Sequence, residues 1–149
     1  MRRREPDETM RLVVNIDVDD LDKAIRFYSA GLGLTPGRRL FEGSVAEMLG
    51  AGSTVHLLAK SPDTATSPGS SAARDYARHW TPVHLDFEVA DIEAAVDRAV
   101  RAGATLEAGI QSYAWGRLAT MSDPFGHGFC LVQFVGSGYD TVAAPDARR

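Results

Sequence analysis

Residues 13–34, VVNIDVDDLDKAIRFYSAGLGL, decide the fold, because residues 83–104, VHLDFEVADIEAAVDRAVRAGA, repeat their plan, with matching positions 71 apart. In both, an alternating strand runs into an Asp, and an amphipathic helix follows. Asp20 matches Asp91, Val18 matches Val89, Leu21 matches Ile92, Ala24 matches Ala95 and Ile25 matches Val96. Leu21, Ala24, Ile25 and Tyr28 recur at i, i+3, i+4 and i+7, as do Ile92, Ala95, Val96 and Ala99. Each helix therefore carries one apolar stripe to lay on a sheet. Asp20 and Asp91 stand at N-cap positions, where a carboxylate accepts from unpaired first-turn amides, and Gly31 or Gly33 and Gly103 suit the left-handed residue that closes the far end.

β-favouring runs separated by turn residues follow each helix, at 35–41, 45–49 and 54–59 and again at 105–110, 117–122 and 128–135. Before the last run, Asp123-Pro124-Phe125-Gly126 has Pro at the second and Gly at the fourth position, as a type I turn prefers. The pattern predicts an α+β fold of two tandem βαβββ modules with mixed sheets in a single domain over 10–135. Module one spans 10–60, a linker 61–81 and module two 82–135. The linker, SPDTATSPGSSAARD within it, is too polar to pack and has room for a short helix at 72–78. Residues 1–9 and 136–149 are expected to be loose tails.

Composition narrows the partners. A chain of 149 residues with 44% hydrophobic content can build a core, and its net charge of -4, with no basic stripe, excludes a phosphate backbone as the natural partner. The one cysteine, Cys130, leaves no internal disulfide, and MRRREPDETM supplies no apolar signal segment. No apolar stretch reaches the ~20 residues of a membrane span. These features fit a cytoplasmic protein that takes a small-molecule ligand, with neither nucleic acid nor membrane as partner.

Successive side chains of a strand point to opposite faces, which sorts the polar residues. Val14, Ile16 and Val18 must lie under the first helix, leaving Val13, Asn15 and Asp17 on the other side. Leu85, Phe87 and Val89 cover the second helix, leaving His84, Asp86 and Glu88. The last strands align as STVHLLA over HGFCLVQ, so His56 matches Cys130 at an offset of 74 and both share the outward face. For Asp86 and Glu88, a water-facing sheet surface is the competing explanation. For Cys130 the competitor is packing as a small hydrophobe, for His56 a hydrogen-bonded pocket residue. His127 reads as a solvated loop residue and His79 as a linker residue without a partner in view.

The doubled module, the run from Val18 to Tyr28 and the D-P-F-G-H of residues 123–127 resemble the vicinal oxygen chelate superfamily. That group holds glyoxalase I, extradiol dioxygenases, fosfomycin-resistance thiol transferases and bleomycin-binding proteins. The resemblance implies curved sheets around a cup-shaped pocket, often completed in a homodimer. It also implies a divalent metal (Zn, Ni, Mn or Fe) held from the first and last strands of each module, positions that fall on Val13, His56, His84 and Cys130. Val13 cannot coordinate, which leaves His56, His84 and Cys130 as metal ligands. Asn15, Asp17, Asp86 and Glu88 are the oxygens available to a site displaced along the strands.

Two functions follow. One is a glyoxalase-like or dioxygenase-like enzyme, a lyase, isomerase or dioxygenase, whose metal polarises a substrate with vicinal oxygens while Glu88 or Asp86 moves a proton. Asn15, Asp17, Tyr113, Trp115 and Arg117 would contact substrate, the last three from a loop overhanging the pocket. The alternative is a metal-free protein that binds or sequesters a small molecule such as an antibiotic, which the ligand-less Val13 favours.

Overall fold

The computed structural model describes residues 10–145. Strand β1 (Val13–Val18) leads into helix α1 (Leu21–Arg26), followed by β2 (Thr35–Leu40), β3 (Val45–Ala51) and β4 (Ser53–Ala59). The second module repeats the order as β5 (Leu85–Glu88), α2 (Ile92–Arg101), β6 (Thr105–Leu106), β7 (Gln111–Tyr113), β8 (Gly116–Ser122) and β9 (Gly128–Phe134). Each sheet places its first and last strands side by side and parallel, in the orders β1-β4-β3-β2 and β5-β9-β8-β6, with β7 attached to β8.

The caps form as the sequence dictates. Asp20 accepts from the Lys23 amide at 3.0 Å and Asp91 from the Ala94 amide at 3.2 Å. Helix α1 is shorter than its apolar stripe, because the chain widens into a π-helical turn over Phe27–Gly31. That turn buries Phe27 and Tyr28 and brings Gly31 against α2, where a Cβ would sit 3.0 Å from Ala102 Cβ, so only glycine fits without displacement.

Both modules pour their helix-facing side chains into one core. Val18, Phe27, Met48 and Leu57 from the first meet Ile92, Met121, Phe129 and Leu131 from the second. Tyr28 donates its hydroxyl to Asp123 Oδ2 at 2.6 Å across this seam. Asp123 Oδ1 also accepts from the Phe125 and His127 amides at 2.8 and 3.0 Å, and Gly126 takes φ +84°, closing the turn into β9.

Three expectations need correction. The run at 105–110 is not one strand: β6 ends at Leu106, the Glu107 amide adds one more bond to Thr120 O at 2.9 Å while its carboxylate pairs with Arg78, and the ladder to β8 resumes at Gln111. The linker forms no helix at 72–78; its backbone pairs with itself through Ala65 and Ala73, and Arg74 reaches back to Asp17 at 2.8 Å. The tail beyond Gly136 makes a 3-10 turn at Gly138–Thr141 whose Tyr139 packs on Phe134, ring centroids 4.6 Å apart. The expectations for residues 1–9 and 146–149 lie outside the described residues. No helix among the described residues is long and apolar enough to cross a membrane.

Candidate functional site

In module two the in-register pairing of β5 with β9 sets Asp86 beside Cys130. Phe87, Phe129 and Leu131 point into the core, so Asp86 and Cys130 share the helix-free face, and His84 joins them from just before β5. The ligand atoms of His84, Asp86 and Cys130 lie within 4.8 Å of one another. His84 Nε2 is 3.2 Å from Asp86 Oδ1. Among the described residues no other trio of His, Cys, Asp or Glu gathers this way.

Cys130 is buried, while the His84 and Asp86 side chains are about half exposed. Burial pushes the Cys130 thiol up from its ordinary range, and the Asp86 carboxylate pushes it further. Both effects favour the protonated thiol, and a bound cation would oppose them. A cavity of about 260 Å³ opens beside it, lined by Arg78, Trp80, Thr81, Thr120 and Phe129.

His56 does not belong to this group. Across its own sheet it stands in register with Asn15 on β1 and Glu47 on β3, and its Nε2 is 4.0 Å from Glu47 Oε2. Arg38 clamps Glu47 with Nε and Nη2 at 2.8 and 2.9 Å and with its amide at 2.9 Å. These bonds hold the Glu47 carboxyl down to about 2. His56 and Glu47 open on a different cavity, of about 600 Å³, shared with Leu12, Val13 and Thr54. The set His56, His84 and Cys130 is thus split, because internal repetition places residues on equivalent faces of two sheets, not at one point.

The remaining expected residues scatter. Asn15 and Asp17 line a cavity of about 340 Å³ between the modules, together with His84 and His127, but the Asp17 carboxylate is taken by Arg74. Glu88 opens with Asp86 on another cavity, of about 600 Å³, beside α2. Tyr113 and Trp115 stack on each other at 5.2 Å, and Trp115 packs on Tyr139 at 5.1 Å, so both serve the C-terminal turn and do not overhang the His84 cavity. Arg117 lies in register with Gln133, whose side chain caps α2, and pairs with Glu93 on that helix at 2.6 Å. It faces away from the cluster. His127 and His79 are not isolated: they touch each other at 2.9 Å. No periodicity in the sequence announces that meeting.

A glyoxalase-like domain model matches residues 13–132. The chain belongs to the glyoxalase-like family. An uncharacterized protein of Mycobacterium bovis is 33% identical over 126 residues, covering 79% of each chain. Among solved structures, a glyoxalase-related enzyme from Fulvimarina pelagi superposes with a TM-score of 0.65 at 18% identity, covering 86% of this chain and 93% of that one. A fosfomycin resistance protein, FosX, from Listeria monocytogenes superposes with a TM-score of 0.61 at 18% identity, covering 83% and 92%. Such likenesses establish the vicinal oxygen chelate fold.

The divalent ion that glyoxalase-like proteins often hold has a partial fit here. Of the four expected positions, Val13 offers no donor and His56 stands apart, so the two-module set fails. His84, Asp86 and Cys130 supply N, O and S donors from module two alone. Ligands 2.0–2.3 Å from a tetrahedral ion lie roughly 3.3–3.8 Å apart, so the trio closes on an ion with shifts of about an ångström, which the exposed His84 and Asp86 side chains allow.

Proposed function

We propose that this glyoxalase-like chain is a small-molecule enzyme whose chemistry runs on the helix-free face of module two, with a divalent ion held by His84, Asp86 and Cys130. The observation that carries this reading is the trio of N, O and S donors within 4.8 Å, beside a cavity of about 260 Å³. The ion, Zn²⁺ before Ni²⁺, Mn²⁺ or Fe²⁺ given the thiolate, would polarise a carbonyl or enolate of a substrate with vicinal oxygens. Lyase, isomerase and dioxygenase reactions of the family share that demand.

The chain's own residues supply the rest. Cys130 would give up its proton to bind the ion as a thiolate, and Asp86 holds the His84 ring through Nε2 beside it. Glu88, two residues along the same strand face, is the carboxylate left to move a proton. Thr120 presents a hydroxyl to the cavity, and Trp80 offers a flat apolar wall. Leu12, Trp80 and Val83 are 69%, 80% and 77% exposed around these faces, apolar area that a second copy of the chain would cover in a homodimer.

The test is metal uptake. Metal-free protein titrated with Co²⁺ should bind one ion and develop a near-ultraviolet thiolate charge-transfer band, absent in Cys130→Ser. Protein that retains none of Zn²⁺, Ni²⁺, Mn²⁺ or Fe²⁺ by elemental analysis after soaking overturns the proposal.

A metal-free binding role is the second reading, favoured by the inter-module cavity of about 340 Å³, whose walls include Val14, Ile16, Tyr28, Val83 and Phe87. For any ligand found in a thermal-shift screen, His84→Ala abolishes turnover under the first reading and merely weakens affinity under the second.

A further inference from the structure

His79 of the linker and His127 of the turn before β9 meet where the linker, module one and module two come together. His79 Nε2 lies 2.9 Å from His127 Nδ1. The outer nitrogens are engaged as well: His79 Nδ1 sits 2.9 Å from Ala77 O, and His127 Nε2 2.6 Å from Asp17 O. A carbonyl oxygen only accepts, so His79 must carry a proton on Nδ1 and His127 one on Nε2. In two neutral rings the facing nitrogens would then both be bare lone pairs, pressed together at 2.9 Å. A hydrogen bond exists there only if a third proton lies between them, giving the pair one positive charge.

The surroundings suit that charge. The Asp123 carboxylate takes the His127 amide at 3.0 Å and the Tyr28 hydroxyl. The Asp17 carboxylate sits on the residue whose carbonyl His127 holds, and is paired with Arg74. Arg78 donates to His79 O and is paired with Glu107. The Tyr76 ring stands 6.3 Å from His127. Asp75 takes the Ala77 amide at 2.9 Å, Asp19 lies near Tyr76, and Lys23 lies over the Phe125 ring of the turn, so carboxylates outnumber cations around the pair and favour its extra proton.

We infer that His79 and His127 form a proton-dependent latch that pins residues 77–84 against the 123–127 turn and the end of β1. The same segment is seated by the His79 amide on Gly126 O at 3.1 Å. It carries Trp80, Thr81, Val83 and His84, which wall the cavities of about 260 and 340 Å³. Releasing it opens both and frees His84 from the cluster. The closed state holds a proton that the open state does not, so raising the pH favours opening. This inference goes beyond the metal reading and does not depend on it.

The experiment follows amide hydrogen exchange of residues 77–84 in metal-free full-length protein from about pH 5.5 to 8.5, the range in which imidazoles change charge. After correction for intrinsic exchange, wild-type protection should fall about tenfold or more as the pH rises. His79→Gln places a rotatable amide near Nε2 that can donate to His127 Nδ1 without an extra proton, so its segment should stay protected throughout. His79→Ala should be unprotected throughout. Imidazole ¹⁵N spectra of the wild type at the acid end should report three ring N–H protons on the two residues. Wild-type protection independent of pH, His79→Gln tracking the wild type, or two neutral rings beneath an intact segment would each overturn the latch, leaving the metal reading untouched.

Discussion

The two modules share strands and a capped helix, yet their helix-free faces are electrostatically opposed. In module one the acid on that face, Glu47, is already clamped by Arg38, and His56 looks on from 4.0 Å. In module two Asp86 and Cys130 face His84, and Arg78, the guanidinium bordering the same cavity, is committed to Glu107. Duplication supplies two equivalent scaffolds; on one the acid is already paired with Arg38, on the other Asp86 faces His84 and Cys130.

The contrast presupposes that both faces ride on one core, and the strongest challenge strikes there. Burial and the Asp123 carboxylate push the Tyr28 phenol well above its ordinary range, so Tyr28 remains a donor. Asp123→Ala strands that hydroxyl and the Phe125 and His127 amides. It should cost about 3 kcal/mol, read by urea unfolding as one shifted transition. Two separate transitions, with only module two weakened, would dissolve the shared core.

Next in size is the difference in cation affinity between the faces. Cys130→Ser should weaken Co²⁺ binding by about 100-fold or more, whereas His56→Ala should leave it unchanged. Because the Cys130 thiol is raised, wild-type affinity should climb with pH as loading expels its proton, and Cys130→Ser should flatten that slope. Equal losses at the two faces would erase the distinction.

The acid response sharpens it from the other side. The Glu47 carboxyl is lowered to about 2, so its contribution is present above the ordinary carboxylate range and is lost as the pH falls toward that value. Glu47→Gln should lower the melting temperature at neutral pH and less so near pH 2; an equal drop at both would remove Arg38 as the cause. The smallest effect belongs to Arg117→Ala, whose partner Glu93 is exposed: below about 0.5 kcal/mol by thermal melt, with Co²⁺ binding intact.

The fold was legible because its determinants are local: the offset of 71, Asp20 and Asp91 at the helix starts, and period-two alternation in residues 13–18 and 84–89. Alternation also put His84, Asp86 and Cys130 on one face. It could not say how far apart residues on that face would be, which depends on strand pairing: Asp86, read as a proton carrier, proves to be the neighbour of Cys130, while His56, read as a ligand, belongs to the other sheet. Whether Tyr113 and Arg117 reach over a pocket depends on partners distant in sequence or on loop packing: Tyr113 stacks on Trp115 and Arg117 pairs with Glu93 on α2. The His79–His127 contact depends on the path of a linker that no periodic signal encodes.

That linker has one more consequence. Gly126 gives up its Cβ so that the chain at Tyr76 and Ala77 can lie directly on its backbone, and Arg74, Tyr76 and His79 stitch the strap to Asp17, Lys60 and the turn. A protein sewn back on itself along the segment that joins its two modules resists trading one half with a neighbouring molecule, since these stitches must tear before the borrowed half can dock.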